Sequence, residues 1–186
     1  MDAFFTSTMT VALAEIGDKT QLLSLLLAAR FRNKTAIIAG ILLATLLNHA
    51  VSAWLGNWLG QFLQSDLGRW VIGGSFILLA AWLLIPDKED ETDSRFDSYG
   101  PFVVATILFF LAEIGDKTQV ATVLLGAQFE SIFWVTMGTT LGMLIANVPV
   151  VYAGDYLMQR IPMNAVRVAA AVVFAGVGIW HSPVFG

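Results

Sequence analysis

The sequence predicts an all-α membrane protein with six transmembrane helices arranged as two inverted three-helix repeats. Of its 186 residues, 57% are hydrophobic and 13% are charged, and the mean hydropathy is +0.74. This composition is typical of membrane proteins. Several apolar runs are close to the roughly 20 residues that span a bilayer. In addition, the motif Glu-Ile-Gly-Asp-Lys-Thr-Gln occurs twice, each time inside an apolar run.

Six apolar spans can be placed along the chain, separated by short polar breaks, and each is predicted to be a helix. A span of this length is long enough to cross the hydrocarbon core of a membrane, so the lipid bilayer is an expected partner. The spans lie at about residues 4–28, 36–59, 68–85, 101–126, 132–156 and 164–182.

The two halves of the chain are related by a shift of 98 residues. This shift aligns Leu13–Phe31 with Leu111–Phe129 at thirteen of nineteen positions, and it pairs Gly40 with Gly138. Each half holds three spans, an odd number, so the second half enters the membrane from the opposite side. We therefore predict a first repeat at 1–85, an acidic cytoplasmic linker at 86–100 and a second, inverted repeat at 101–186.

The basic residues of the loops predict the orientation in the membrane. Cytoplasmic loops carry an excess of lysine and arginine, and in a six-span arrangement almost all of these residues fall on one side. Both termini are then expected outside the cytoplasm. The residues on the cytoplasmic side are Arg30, Arg32, Lys34, Lys88, Arg95, Arg160 and Arg167, against Arg69 on the other side.

The repeated motif places ionisable residues near the centre of the membrane. Each costs about 2.5 kcal/mol or more at that depth, so a functional site is expected there. On a continuous helix, Glu15, Asp18 and Lys19 would share one face because they are three and four residues apart. The second copy repeats the pattern with Glu113, Asp116 and Lys117.

The charges and ligand types of the motifs favour a divalent cation. Four ionised carboxylates and two ammonium groups sum to −2, which one divalent ion would neutralise. Oxygen ligands suit Ca²⁺, Mn²⁺ or Mg²⁺, and the absence of cysteine excludes a thiolate site. Protons would compete with the ion for the same carboxylates, which predicts exchange. The predicted ligands are Glu15, Asp18, Glu113 and Asp116, supported by Lys19, Thr20, Gln21, Lys117, Thr118 and Gln119.

Two features of the motif have alternative interpretations. Gly17 and Gly115 permit either close helix packing, which we favour, or a local opening of the helix. The two lysines either pair with Glu15 and Glu113 and tune them, which we favour, or gate the ion path.

The second helix of each half contributes weaker candidates. Asn48, His49 and Asn147 either bond across helices or line the path, and His49 is also a candidate metal ligand. Pro149 is expected to loosen its helix. Paired small residues such as Gly73 permit helix contacts within the chain or between chains, so a homo-oligomer stays open.

Other classes of function are less well supported by the sequence. A divalent cation channel and an exporter of a small solute or amino acid stay open as alternatives. An enzyme is not expected, because no nucleophile–base pair or zinc motif is present, and no cofactor is expected beyond the transported ion. Without a basic patch, nucleic-acid binding is not expected either.

The doubled E-φ-G-D-[KR]-[TS] motif closely resembles that of the Golgi calcium/manganese transporters and their bacterial manganese exporters, within the cation/calcium exchanger group. The resemblance covers essentially the whole chain, and neither copy departs from the motif. It implies a divalent-cation:proton antiporter for Mn²⁺ or Ca²⁺ whose motif carboxylates bind the ion. The short linker and the lack of a long N-terminal extension favour a bacterial plasma (inner) membrane protein that exports the ion from the cytoplasm.

Overall fold

A computed structural model of the chain describes residues 2–61, 63, 65–85, 99–158 and 162–183. Within these residues every regular element is an α-helix, which confirms the predicted all-α class. Most of the predicted linker, at 86–98, lies outside the described residues. The eight described helices are α1 (Asp2–Glu15), α2 (Lys19–Arg30), α3 (Lys34–Gly60), α4 (Asp66–Leu83), α5 (Pro101–Glu113), α6 (Lys117–Phe129), α7 (Ile132–Met158) and α8 (Met163–His181).

Two of the predicted spans are each divided into two helices. The first span contains α1 and α2 and the fourth contains α5 and α6, and both breaks fall within the repeated motif. The prediction that Glu15, Asp18 and Lys19 share one continuous helical face is therefore wrong. The physical reason is the backbone at Gly17 and Gly115, which has φ of 85° and 76° and cannot continue a right-handed helix. The preference for glycine as a packing residue here was also wrong, because both glycines open the helix.

The lengths of the helices show which could cross a membrane alone. Among the described residues, three segments are long and apolar enough: Lys34–Gly60, Asp66–Leu83 and Ile132–Gly154. Pro101–Glu113 and Asn164–Trp180 are apolar but shorter. The four helices beside the motifs have 12 to 14 residues, or about 18–21 Å at 1.5 Å per residue. Each is shorter than the roughly 30 Å hydrocarbon core, so one span there requires two helices.

Local capping signals define where the long helices begin. Asn33 accepts a hydrogen bond from the backbone N–H of Ala36 at the start of α3, at 3.1 Å. Ser65 does the same for Gly68 at the start of α4, also at 3.1 Å. Helix α7 is kinked at Ala153, which has non-helical φ and ψ and lies four residues after Pro149.

The helices of the two halves pack against each other in equivalent pairs. Helix α1 packs on α7 as α5 packs on α3, and α2 packs on α7 as α6 packs on α3. Helices α4 and α8 occupy equivalent places in the two halves and pack on each other. Each of these interfaces therefore has an equivalent when the two halves are exchanged. The candidate site is built from helices of both halves.

Glycines allow close approach of the backbones at these interfaces. A Cβ built on Gly40 would lie 2.6 Å from the Phe102 carbonyl oxygen, and one built on Gly138 would lie 2.6 Å from that of Phe4. Both pairs are related by the shift of 98 residues, so the α3–α5 and α7–α1 contacts have the same construction. Small residues at such positions let two helix backbones meet.

The contact between α4 and α8 is also built on small residues. Built Cβ atoms on Gly73 and Gly178 would each lie 2.7 Å from the carbonyl oxygen of the other glycine. Beside them the fully buried rings of Phe76 and Phe174 have centroids 6.2 Å apart. Gly73 thus makes a contact within the chain, one of the two arrangements that the sequence permitted.

We expect Gly40→Ala to destabilise the protein by about 1–3 kcal/mol, because the added methyl group meets backbone that cannot move aside. Gly74→Ala is the matched control, since its Cβ would meet no atom within 4 Å. Thermal unfolding in detergent should give a melting temperature several degrees lower for Gly40→Ala alone. Equal melting temperatures for the two variants would contradict the close α3–α5 contact.

Candidate metal site

The site is built where the two broken spans meet. Helix α1 ends at Glu15 and α2 begins at Lys19, while α5 ends at Glu113 and α6 begins at Lys117. Each break is followed by a helix whose N-cap is an aspartate. The side chain of Asp18 accepts from the Thr20 backbone N–H, and that of Asp116 accepts from the Thr118 N–H, both at 3.4 Å.

A glutamine stabilises each break from the following turn. Gln21 Oε1 accepts from the Gly17 N–H, and Gln119 Oε1 accepts from the Gly115 N–H, both at 2.7 Å. Gln21 also donates through Nε2 to the Ala146 carbonyl on α7, at 2.9 Å. Gln21 and Gln119 therefore each hold the broken backbone of their own half.

Three carboxylates converge inside the protein. One oxygen each of Glu15, Glu113 and Asp116 lies within 4.8 Å of the other two, and all three side chains are buried. Asp18 is buried as well, but it lies outside this group of three. Oxygens this close repel one another when ionised, and a shared cation is one way to relieve that repulsion.

The two glutamates of this group have different surroundings. Glu15 accepts hydrogen bonds from the hydroxyl of Thr20, at 2.5 Å, and from the hydroxyl of Thr118 in the other half. Within the described part of the chain, neither carboxylate oxygen of Glu113 has a hydrogen-bond partner. The nearest ring is the buried His49, whose Nε2 lies 4.0 Å from Glu113 Oε2.

Each lysine of the motif contacts the other half of the chain. Lys19 Nζ lies 3.5 Å from Asp116 Oδ1, so this ion pair joins the two halves. The buried Lys117 donates to the Ile85 carbonyl at 2.6 Å, and its ammonium group lies 6.0 Å from the centre of the Trp82 ring. One cation therefore lies against the carboxylate group, while the other also contacts the end of α4.

The asparagines of α3 and α7 bond across helices, as the sequence favoured. Asn48 donates through Nδ2 to the Phe110 carbonyl at 3.1 Å. Asn147 Oδ1 accepts from the Ser24 hydroxyl at 2.8 Å. Both bonds join one half of the chain to the other.

Sequence reasoning gave the helix breaks only as the less favoured alternative for Gly17 and Gly115, and it missed the crossing of Thr118 to Glu15. The breaks had a local signal, because glycine ends helices and aspartate begins them, and Gly-Asp stands in both copies. The Thr118 contact had none, since it depends on how α1 and α6 pack.

Comparison with known proteins is consistent with these features. The model of the family described as "Divalent cation/proton antiporter GDT1" matches residues 3–91 and 101–182. A Vibrio cholerae protein named "Putative manganese exporter" is 54% identical over 175 residues, which cover 94% of this chain and 87% of that protein.

More distant relatives carry the family name in other kingdoms. A GDT1-like protein from rice (Oryza sativa subsp. indica) is 28% identical over 204 residues, covering 96% of this chain and 72% of the relative. A GDT1-like protein from Synechocystis is 23% identical over 193 residues, covering 94% and 93%. No solved structure matches the chain significantly.

We expect Gly115→Ala to cost about 1–2 kcal/mol of stability through the backbone alone, because an added Cβ would meet no atom within 4 Å but would have to adopt φ of 76°. Gly176→Ala in α8 is the control, since it also meets nothing within 4 Å and lacks the positive φ. Gly115→Asn should lose less than Gly115→Ala, because asparagine tolerates this conformation. Thermal unfolding of the three variants tests this order of stabilities. A melting temperature of Gly115→Ala equal to that of the wild type would contradict the prediction.

Proposed function

The chain belongs to the GDT1 family of divalent cation/proton antiporters, and we propose that it exports Mn²⁺ from the cytoplasm in exchange for protons. Family membership confirms the resemblance drawn from the doubled motif. The manganese assignment is supported by the name of the relative from Vibrio cholerae and by a site of oxygen ligands. Such ligands also suit Ca²⁺, which we propose as a second substrate.

The observation that carries this proposal is the convergence of Glu15, Glu113 and Asp116 within 4.8 Å at two helix breaks. Burying three carboxylates together is costly unless their charge is matched. We propose that the transported ion is bound by these three groups and by Asp18. Lys19, Thr20, Gln21, Lys117, Thr118 and Gln119 support the site by ion pairing and hydrogen bonding.

The ends of the half-helices add to the attraction for a cation. Helices α1 and α5 both end at a glutamate of the site, and the C-terminal end of a helix carries partial negative charge. Broken helices near the membrane midplane bind ions in other secondary transporters for this reason. The carboxylates and the C-terminal ends of α1 and α5 therefore both attract a cation.

Proton coupling follows from the same group of carboxylates. A ligand carboxylate must lose its proton before it binds metal, so metal and protons compete for one site. Glu15 keeps hydrogen bonds from Thr20 and Thr118, whereas Glu113 has none from the described residues. We propose that the two glutamates contribute unequally to this exchange.

We propose that the chain forms six spans in a bacterial inner membrane as two inverted repeats, with both termini outside the cytoplasm. The helix breaks would then lie near the midplane. The equivalent packing of α1 on α7 and of α5 on α3 supports this arrangement, as does the equivalence of the Gly40 and Gly138 contacts. Lys117 and Lys19 would both lie at the level of the site, where they either tune or gate it.

Cysteine labelling tests the inverted arrangement, because the chain has no cysteine of its own. Arg32 and Glu130 are exposed and are related by the shift of 98 residues. We expect a membrane-impermeant maleimide to label Glu130→Cys in intact cells, and to label Arg32→Cys only after lysis. Labelling of both variants, or of Arg32→Cys alone, in intact cells would contradict the proposed topology.

Transport in sealed liposomes tests the function and the site together. With purified protein, we expect Mn²⁺ entry coupled to proton exit, followed by one dye for each ion. Asp116→Asn should reduce the flux roughly 10-fold or more, because it removes a ligand charge. Asparagine still caps a helix, so α6 should begin normally. Asp66→Asn makes the same chemical change at an exposed position and should transport normally.

The other outcomes of this experiment separate the alternatives. Mn²⁺ entry without proton movement would favour a channel or uniporter, for which inverted halves are not needed. Equal flux in Asp116→Asn and wild type would exclude this site. No metal flux under any gradient would favour the exporter of a small solute or amino acid.

A further inference from the structure

We propose that His49 is a nitrogen ligand of the transported ion and makes the site prefer Mn²⁺ to Ca²⁺ and Mg²⁺. This inference rests on the proposed function, because it requires the ion to bind at the motif carboxylates. It adds to four carboxylate ligands a fifth residue, from a different helix, whose chemistry differs from theirs. His49 lies on α3, outside both copies of the motif.

The geometry places an imidazole nitrogen beside the carboxylate group. His49 is fully buried, and its Nε2 lies 4.0 Å from Glu113 Oε2. Glu113 is one of the three carboxylates that converge within 4.8 Å, and His49 lies outside that group but contacts it at Glu113. A separation of 4.0 Å is too long for a hydrogen bond. Two ligands at about 2.1 Å from one ion can be up to about 4.2 Å apart, so both atoms can bind the same cation.

Unsatisfied hydrogen-bonding groups on both sides of this gap indicate a missing ligand. Among the described residues, neither nitrogen of His49 and neither carboxylate oxygen of Glu113 has a hydrogen-bond partner. Buried polar atoms are normally paired, and two neighbouring side chains whose polar atoms are all unpaired require an explanation. A cation bound between the two side chains would satisfy the facing nitrogen and oxygen together.

In the other half of the chain, the residue equivalent to His49 has a structural role. Asn147 is equivalent to His49 under the shift of 98 residues, and its side chain lies near Glu15. It accepts from Ser24 and donates to the Met143 carbonyl at 3.1 Å. Thr122 is the equivalent of Ser24 in the second half. Its hydroxyl donates to the Thr118 carbonyl and not to His49. Asn147 is therefore held by its neighbours, whereas the nitrogens of His49 have no hydrogen-bond partner in the described part of the chain.

The chemistry of imidazole explains the expected preference. Ca²⁺ and Mg²⁺ take oxygen ligands almost exclusively, whereas first-row transition ions also accept histidine. A site of carboxylates alone would bind all three ions as hard cations. One nitrogen ligand among the oxygens favours Mn²⁺ over the other two.

Pulsed electron paramagnetic resonance of Mn²⁺ bound to the purified protein tests the ligand directly. The protein must carry no histidine tag. We expect a ¹⁴N coupling from a bound imidazole in the wild type. The chain has two histidines, so His181→Asn is the matched control and should keep the coupling. His49→Asn, which copies the residue of the other half, should lose it.

Transport competition provides the second measurement. Ca²⁺ and Mg²⁺ should inhibit Mn²⁺ flux roughly 10-fold more effectively in His49→Asn than in the wild type. If His49 had only a structural role, His49→Asn would lower the flux of all ions together and leave the inhibition by Ca²⁺ and Mg²⁺, relative to the wild type, unchanged. If His49→Asn does not fold, His49→Gln places an amide at a similar distance from the backbone, and the wild-type spectrum alone still tests the ligand.

The outcomes distinguish this inference from the proposed function. Mn²⁺ that is bound and transported without a ¹⁴N coupling, or an unchanged preference in His49→Asn, would overturn the role of His49 and leave the antiporter intact. Wild-type protein that neither binds nor transports Mn²⁺ would overturn both.

Discussion

The burial of the motif carboxylates determines the rest of the site. Glu15, Glu113 and Asp116 cannot share an apolar interior while their charge is unmatched. The chain brings these carboxylates together by leaving the helical conformation for three residues in each half. Gly17 and Gly115 adopt positive φ, and the aspartate that follows caps the next helix. In the second half, Glu113 at the end of one helix and Asp116 at the start of the next thus reach the same space as Glu15.

The surrounding helices hold these breaks in place. Gln21 is hydrogen-bonded both to the break of its own half and to α7, and Asn48 bonds to α5. The bond from Gln21 to Ala146 on α7 and the bond from Asn48 to Phe110 on α5 both cross between the halves, so each broken span is held partly by the other half. The glycines of α3 and α7 let the backbones approach closely enough for such contacts to form.

The near-symmetric scaffold holds an asymmetric site. The motifs are identical and the helix pairs are equivalent, yet both threonine hydroxyls, of Thr20 and Thr118, donate to Glu15. Glu113 faces His49 instead, where the other half has Asn147. This difference gives the two glutamates unequal roles in the proposed exchange. The difference has two sources. His49 stands where the other half has Asn147, and both threonine hydroxyls donate to Glu15 rather than one to each glutamate.

The sequence by itself determined the all-α class, the family and the identity of the motif residues, because composition and a repeated motif are local properties of the chain. It also predicted that Asn48 and Asn147 bond across helices. Only the tertiary structure decided that the motif ends a helix at Glu15, that Lys19 pairs with Asp116, and that His49 lies against Glu113. These contacts join residues far apart in the chain, and helix periodicity cannot specify them. They are set by the packing of one half against the other.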